Sequence, residues 1–250
     1  MRAELYGICH LLGFKDDAAQ VDMLASRVER LTGGRKPTSI NDWITCVTIK
    51  ETRFFRDINQ FQALETFLKQ RLASGSKTVR MWSAGCSFGQ EPYSMAIVAK
   101  KACDGFKNNI GVEVLASDID TGALEIAAEG VYPIESLWQI PEEYRKYVLP
   151  EGNQLRIKDI VKCLVQFFSL NLAGMDPYPK DLDVVFCRNV LIYFNPQAAL
   201  SAIRRIHASL RPGGLLFLGE GETISYFGLY TLFEAIDADC LVYKKLQCNA

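Results

Sequence analysis

Apolar positions in the first part of the chain recur at the spacing of an α-helix. Four of them, at three- and four-residue steps, fall along one helical face: Val21, Leu24, Val28 and Leu31. Gly33-Gly34 ends this pattern, and residues 1–48 are predicted to form a short helical N-terminal region. A second helix is predicted over Ile58–Leu72, within a linker segment of residues 49–77 that contributes to the active site.

From residue 78 onward, short apolar runs alternate with helical patterns. Strands are predicted at five of these runs: Thr78–Ala84, Val112–Ser117, Leu182–Cys187, Leu215–Gly219 and Cys240–Lys245. Helices are predicted from about Glu91 to Cys103, over Thr121–Glu129, and from about Pro196 to Leu210. This alternation indicates an α/β fold whose mostly parallel sheet is covered on both faces.

One segment interrupts the alternation. Asn153–Lys158 and Cys163–Leu170 are two strand-like runs without a clear helical pattern between them. They predict a small β-hairpin at about residues 150–170, inserted in an α/β domain that spans residues 78–246.

The length fits one large globular domain, or one domain with a small appendage, and the composition narrows the choice of partners. The 250 residues are 49% hydrophobic and 23% charged, with a formal net charge of -1, so a sizeable core is expected. The lack of a basic excess argues against nucleic-acid binding. No apolar run approaches the roughly 20 residues that span a bilayer, and no signal pattern opens the chain. A cytoplasmic protein without membrane insertion is therefore predicted.

Cysteines and basic residues give weaker signals. The eight cysteines form no CxxC pair and no zinc-type spacing with histidine, so no metal site is predicted. A small basic cluster lies near the start of the chain: Arg27, Arg30, Arg35 and Lys36. It is interpreted either as a solvated surface or as a docking patch for an acidic partner.

The segment Ala84–Gly89 joins a predicted strand to a predicted helix and contains two glycines. In open α/β sheets, ligands bind beyond the carboxyl ends of the strands, and glycine lets a ligand approach the backbone closely. Three interpretations compete. A dinucleotide site is disfavoured, because GxGxxG is incomplete and Asp118 lies well beyond the spacing of about 20 residues for the ribose-binding acid.

A serine hydrolase is the second interpretation. Gly85-Cys86-Ser87-Phe88-Gly89 matches the G-x-S-x-G nucleophile elbow, which also joins a strand to a helix. That fold needs a histidine on a loop late in the chain. His10 precedes the serine and His207 lies inside a predicted helix, so this interpretation is disfavoured.

The third interpretation is a Rossmann-like methyltransferase that uses S-adenosylmethionine (SAM). In such folds the first glycine loop contacts the methionine part of SAM, and an acidic residue ending the second strand accepts the ribose hydroxyls. Asp118 stands at that position. An N-cap is its alternative role, but Asp120 is better placed to cap the following helix.

Four short motifs resemble those of one protein family. They read ETRFFRD at Glu51–Asp57, WSAGCSFGQEPYSM at Trp82–Met95, ASDID at Ala116–Asp120, and FCRNVLIYF at Phe186–Phe194. In this order and spacing they are similar to the motif set of the chemoreceptor glutamate methyltransferases, the CheR family, over about residues 40–245. The resemblance implies a class I SAM methyltransferase sheet with a helical N-terminal domain, here shortened, and a small inserted β-subdomain.

The resemblance also implies roles for individual residues. Its cofactor-binding positions are Thr52, Arg56, Ala84, Gly85, Glu91, Asp118, Asn171, Leu172, Arg188 and Asn189. Its catalytic positions are Arg56, Arg188 and Tyr193. The implied cofactor is SAM, the product is S-adenosylhomocysteine (SAH), and the implied partner is the cytoplasmic helical region of methyl-accepting chemotaxis receptors.

The chemistry implied by the family fits the residues available. A free glutamate has a pKa of about 4.3 and is ionised near neutral pH, so its carboxylate attacks an electrophilic methyl group without a general base. The enzyme's task is then alignment and desolvation. Two alternatives stay open: a methyltransferase of the same fold with another substrate, and a non-catalytic SAM-binding scaffold.

The chain departs from the family pattern at several positions. Lys50 stands where an Asn is expected, Phe88 replaces a usual Thr, and Gln90 replaces the first of two glutamates. The predicted hairpin also lacks the Gly-x-Gly turn of relatives that tether to a pentapeptide at the receptor C-terminus. Such tethering is therefore not expected.

Overall fold

The computed structural model of the protein describes residues 1–104, 106 and 110–246. Its α-helices are α1 (Arg2–Leu12), α2 (Ala18–Thr32), α3 (Ile40–Val47), α4 (Ile58–Ala73), α5 (Gln90–Cys103), α6 (Thr121–Glu129), α7 (Asp159–Lys162) and α8 (Pro196–Ser209). Short 3-10 helices occupy Ile134–Gln139, Glu142–Tyr147, Leu191–Tyr193 and Ile224–Phe227. Within the described ranges, no helix combines the length and apolar character needed to cross a bilayer.

The strands form one large and one small sheet. They are β1 (Thr78–Ala84), β2 (Gly111–Asp118), β3 (Val131–Pro133), β4 (Val148–Glu151), β5 (Gln154–Ile157), β6 (Val165–Ser169), β7 (Leu182–Cys187), β8 (Leu210–Leu218), β9 (Phe233–Asp237) and β10 (Val242–Lys245). The large sheet has the order β6-β2-β1-β7-β8-β10-β9. Its first five strands are parallel, and β10 and β9 form an antiparallel edge hairpin. The predicted α/β fold is confirmed.

Alternation along the central strands divides the core between the two faces of the sheet. In β7, Val185 and Cys187 face one hydrophobic cluster, which includes the buried side chains of α1, α2, α3 and α8. Val184 and Phe186 face the other cluster, which includes those of α4 and α5. All six residues of β7 are buried, as expected for a strand covered on both faces.

The N-terminal helices follow the predicted pattern and pack on the sheet. Asp17 caps α2 by accepting a hydrogen bond from the Gln20 amide, and Gly33 ends the helix in the left-handed conformation. The predicted stripe is buried except for Leu31, which is 54% exposed. Leu31 lies in the last turn of α2, beyond the part of the stripe that meets the core.

The inserted subdomain differs from the prediction. The hairpin expected at about residues 150–170 is instead formed by β4 and β5, and β3 adds a third strand beside β5. The run Cys163–Leu170 contains β6, which pairs in parallel with β2 at the edge of the large sheet. Both runs are strands, but alternation does not identify a strand's partner. The division into segments 1–48, 49–77 and 78–246 stays a prediction.

The last part of the sheet also differs in detail. β8 begins at Leu210, earlier than the predicted Leu215, and a register irregularity between Leu182 and Val184 accommodates the longer strand. β9 lies between the last two predicted strands, where no strand was predicted. Because β6, β2, β1, β7 and β8 are parallel, their carboxyl ends meet at one edge of the sheet, where ligands bind in such folds.

Candidate active site

A cavity opens at the carboxyl edge of the sheet and gathers the residues predicted to act there. Ten of the predicted site residues are among those that line it: Thr52, Arg56, Gly85, Glu91, Asp118, Asn171, Leu172, Arg188, Asn189 and Tyr193. Ala84, the other predicted residue, ends β1 and is fully buried beneath them. The structure thus brings together residues from five separate parts of the sequence, while their individual roles stay predictions.

The glycine loop after β1 forms one wall of the cavity. Gly85 has φ +86°, and a Cβ atom there would lie 2.4 Å from Cγ2 of Val190. Its amide and that of Cys86 donate hydrogen bonds to the Ser117 carbonyl oxygen, at 2.8 and 2.9 Å. The loop is therefore fastened to the end of β2, and glycine is required where it passes close to the loop after β7.

Asp118 ends β2 below this loop. Its Oδ2 accepts a hydrogen bond from the Ser87 amide at 2.8 Å, and its Oδ1 accepts one from the Asp120 amide at 2.9 Å. Burial raises the pKa of Asp118, although these backbone N–H groups favour the ionised form. The helix cap is made by Asp120, whose Oδ1 accepts from the Ala123 amide, as expected from the sequence.

A cluster of charges around the buried Arg188 joins the helix α5 to the end of β7. Arg188 is 5% exposed, and its guanidinium lies 3.5 Å from Glu91 and 2.5 Å from Asp57. It also donates a 2.9 Å hydrogen bond to the Arg56 carbonyl oxygen. Burial raises the pKa of Glu91, and the nearby Arg188 and a 2.7 Å hydrogen bond from Ser83 oppose this shift.

Two nitrogens of this guanidinium, Nε and Nη1, are buried without a hydrogen-bond partner. Buried donors in native structures normally have a partner. Nη1 faces Glu91 at 3.5 Å, and Arg188 lines the cavity, so an anionic or carbonyl oxygen of a ligand bound beside this guanidinium would complete its hydrogen bonding.

The linker between α3 and α4 covers the cavity from the N-terminal side. It is fixed at its start by Arg27, whose Nε and Nη2 donate to the carbonyl oxygens of Cys46 and Thr48 at 2.8 and 3.0 Å. At its centre, Phe54 and Phe55 are buried in the core.

Two residues of the predicted basic cluster have intramolecular partners. Arg27 binds the linker carbonyl oxygens, and Lys36 pairs with Glu4. Only part of the cluster therefore remains for a docking patch.

Two departures from the family pattern are neighbours in space. Lys50 Nζ lies 2.5 Å from Oδ2 of the buried Asp120 and 6.0 Å from the centre of the Phe88 ring. Burial alone would raise the pKa of Asp120, but the Lys50 ion pair and the Ala123 amide outweigh it and lower the pKa. Lys50 and Phe88 therefore act together, joining the linker to the glycine loop and to α6.

The N-terminal region supplies cavity residues that the sequence did not reveal. Leu12 and Phe14 line the cavity, and the Phe14 ring centre is 6.1 Å from that of Tyr193. The Lys15 amide donates to the Tyr193 carbonyl oxygen at 2.9 Å. No local motif marks these residues, because their partners lie far along the chain.

Asn171 and Leu172 follow β6 and close another side of the cavity. The Asn171 side chain donates to the Leu11 carbonyl oxygen at 2.9 Å and accepts from the Ala173 amide at 2.9 Å. The loop is thereby joined to α1. Gly13 permits this packing, since a Cβ atom there would lie 2.5 Å from that of Ala173.

Backbone strain concentrates around the cavity. Among the non-glycine residues with positive φ, four belong to the loops just described: Phe55 (51°), Asp57 (60°), Ser87 (49°) and Asn189 (57°). Such conformations are costly for L-residues and cluster at functional sites.

Neither histidine is among the residues that line the cavity; the His207 ring packs against Phe233. Ser87 therefore has no histidine beside it in the cavity lining, and the serine-hydrolase interpretation has no support.

Comparison with known proteins agrees with this geometry. A family model described as "CheR methyltransferase, SAM binding domain" matches residues 50–241. The chain is 37% identical over 194 residues, 75% of its length, to "Chemotaxis protein methyltransferase 2" of Pseudomonas aeruginosa, of which it covers 68%. It is 31% identical over 232 residues, 90% of its length, to "Chemotaxis protein methyltransferase" of Borreliella burgdorferi, of which it covers 80%. The matched segment contains every predicted site residue.

Proposed function

This chain belongs to the CheR family of SAM-binding methyltransferases, and on that basis we propose that it methylates glutamate side chains of chemotaxis receptors. The product is a glutamate methyl ester, and the second product is SAH. The proposal depends mainly on one observation. Glu91, Asp118, Arg188 and the linker residue Arg56 line the same cavity at the carboxyl edge of the sheet.

The residues that line the cavity fit SAM. Asp118 presents a largely buried carboxylate at the end of β2, suited to hydroxyl donors of a ribose. Glu91 presents another, suited to an ammonium group, and Arg188 has buried donors without partners, suited to a carboxylate. Gly85 lines the same cavity and adds no side chain to it. When bound, SAM supplies a methyl group on a positively charged sulfur.

The protein's contribution to the reaction is alignment and exclusion of water. The substrate carboxylate is already ionised near neutral pH, so it would need no general base to accept a methyl group from bound SAM. The absence of histidine from the cavity lining agrees with this chemistry. Holding the reacting groups in line and at contact distance lowers the entropic part of the activation barrier.

Arg56 and Tyr193 are proposed to orient the substrate carboxylate. Both line the cavity, and the Lys15 amide holds the Tyr193 backbone by donating a hydrogen bond to its carbonyl oxygen. A guanidinium fork matches the shape of a carboxylate, and the Tyr193 hydroxyl is suited to its second oxygen. Burial raises the pKa of Tyr193, so this hydroxyl stays protonated and able to donate.

We expect Arg56→Ala and Tyr193→Phe each to lower kcat for receptor methylation by about tenfold or more, because the carboxylate loses its fixed orientation. Initial rates with saturating SAM measure the effect. Arg204→Ala and Tyr230→Phe are matched controls, since both residues are exposed and absent from the cavity lining. Unchanged rates for both site variants would show that other residues orient the substrate.

The proposal extends to the receptor region and the cellular compartment in which the protein acts. We propose that the substrate is the cytoplasmic helical region of methyl-accepting receptors, and that the protein works in the cytoplasm without nucleic acid. Tethering to a receptor's C-terminal pentapeptide is not expected. The turn between β4 and β5 is Gly152-Asn153, so the second glycine of a Gly-x-Gly turn is missing.

Calorimetric titration with such a pentapeptide tests the tethering proposal. We expect no heat of binding at concentrations where a complex with a Kd of about 1 μM, which corresponds to about 8 kcal/mol of binding free energy, would be saturated. Micromolar binding would contradict it.

A further inference from the structure

Glu222 is a buried carboxylate that the predicted site does not include. It is 3% exposed and follows β8. Its two oxygens accept hydrogen bonds from five backbone amides: those of Asn189, Val190, Leu191, Ile192 and Gly219. Four of the five distances are 2.7–2.8 Å, and the fifth, to Ile192, is 3.3 Å. Five backbone N–H groups that converge on one carboxylate form an anion-binding site.

The amides come from the loop that carries the candidate catalytic residues. This loop runs from Arg188, at the end of β7, to Tyr193, and Asn189 within it has φ 57°. A left-handed residue followed by right-handed ones turns successive N–H groups toward one point, forming a concave anion site called a nest. The protein fills this nest with its own carboxylate.

Glu222 also ties two neighbouring strands together. β7 and β8 pair in parallel, with Cys187 opposite Leu218 at their ends. One carboxylate oxygen accepts from Asn189 after β7 and from Gly219 after β8, both at 2.8 Å. Gly219 permits this approach, because a Cβ atom there would lie 2.5 Å from the Asn189 nitrogen.

We propose that Glu222 is a positioning residue for methyl transfer: its carboxylate fills the nest of the 189–192 loop and thereby holds Arg188 and Tyr193 on the cavity wall. The inference rests on the proposed function for its kinetic effect. The nest itself is independent of that function. Burial raises the pKa of Glu222, and the backbone donors oppose this shift.

Chemical rescue tests the proposal. We expect Glu222→Ala to lower kcat by about a hundredfold, as misplacement of reacting groups does, and formate to restore at least a tenth of the wild-type rate by entering the emptied nest. Glu220→Ala is the matched control, because Glu220 belongs to the same loop and is exposed. Its rate should match the wild type and should not respond to formate. A Glu222→Ala rate equal to that of the wild type, or a loss that formate leaves unchanged, would overturn the proposal.

Glu222→Gln covers the case in which the alanine variant does not fold. The amide has the same shape but replaces one acceptor oxygen with a donor group, which faces backbone N–H donors. We expect kcat to fall about tenfold or more with a smaller change in the KM for SAM, since Asp118 ends β2 and Glu91 lies in the first turn of α5, away from the loop that Glu222 holds. An unchanged kcat would contradict the proposal.

A separate measurement distinguishes failure of this inference from failure of the proposed function. Formate should raise the Tm of Glu222→Ala but not that of the wild type, whatever reaction the protein catalyses. If this stabilisation occurs while the wild type methylates no receptor, the nest is real and the function is wrong. If formate does not raise the Tm of a folded Glu222→Ala variant, the assignment of the nest is wrong.

Discussion

Replacing Arg188 with Met is expected to lower the free energy of unfolding by about 3–5 kcal/mol at pH 7. Arg188 is buried beside Glu91 and Asp57, and its loss removes the cation nearest to the largely buried Glu91 carboxylate. Breaking one member of a buried pair costs more than the pair itself contributes, because the remaining charge stays desolvated. Urea unfolding at constant m value measures the change.

The loss should depend on pH in a defined direction. Burial already raises the pKa of Glu91, and Arg188 opposes that shift, so removing Arg188 raises the pKa further. A carboxyl with a raised folded-state pKa destabilises the protein as pH rises through that pKa. The difference between wild type and variant should therefore be largest near neutral pH and shrink as Glu91 becomes protonated in both.

Arg204→Met is the control for this experiment. Arg204 lies on α8 and is exposed, and surface substitutions usually change stability by no more than about 0.5 kcal/mol. A loss below about 1 kcal/mol for Arg188→Met, or one that grows as pH falls, would contradict the role given to the buried charge cluster.

Asp118→Ala is expected to weaken SAH binding by about 2 kcal/mol or more, which is roughly 30-fold in Kd. The lost carboxylate would accept hydrogen bonds from the ribose and also holds the glycine loop through the Ser87 amide. Both effects act in the same direction. Isothermal titration calorimetry of the wild type and the variant measures the change.

Two further variants separate these effects. Asp118→Asn keeps one carbonyl oxygen as an acceptor and should lose less affinity than the alanine variant. Asp239→Ala, which removes an exposed aspartate, should leave the Kd unchanged. Equal affinity of Asp118→Ala and the wild type would mean that the ribose is held elsewhere.

The sequence predicted the elements that are periodic and local. β1, β2 and β7, α5, and the glycine loop between β1 and α5 lie within a residue or two of the predicted bounds, because each depends on its own apolar pattern and turn residues. The resemblance then assigned residues such as Glu91, Asp118 and Arg188, and the structure brings them to one cavity. Strand ends in a parallel sheet meet at one edge, so this convergence follows from topology.

Long-range pairing was beyond the sequence. β6 has the same apolar character whether it pairs with β5 or with β2. The predicted hairpin paired it with the strand nearer in sequence, β5, and this was wrong, because β6 pairs with β2. Phe14 reaches the cavity through a bridge to Phe194, for which no local signal exists. Glu222 is likewise an unremarkable acidic residue in the sequence, because its donors are backbone amides of a distant loop.

The most direct test of the central claim is a methyl-transfer assay. The purified protein is incubated with SAM carrying a labelled methyl group and a soluble cytoplasmic fragment of a chemotaxis receptor. We predict that the receptor becomes labelled and that mild base releases the label as methanol, since a carboxylate ester is hydrolysed where a methylated amine is not. Label that survives base, or SAH binding without labelling of any receptor fragment, would contradict the account.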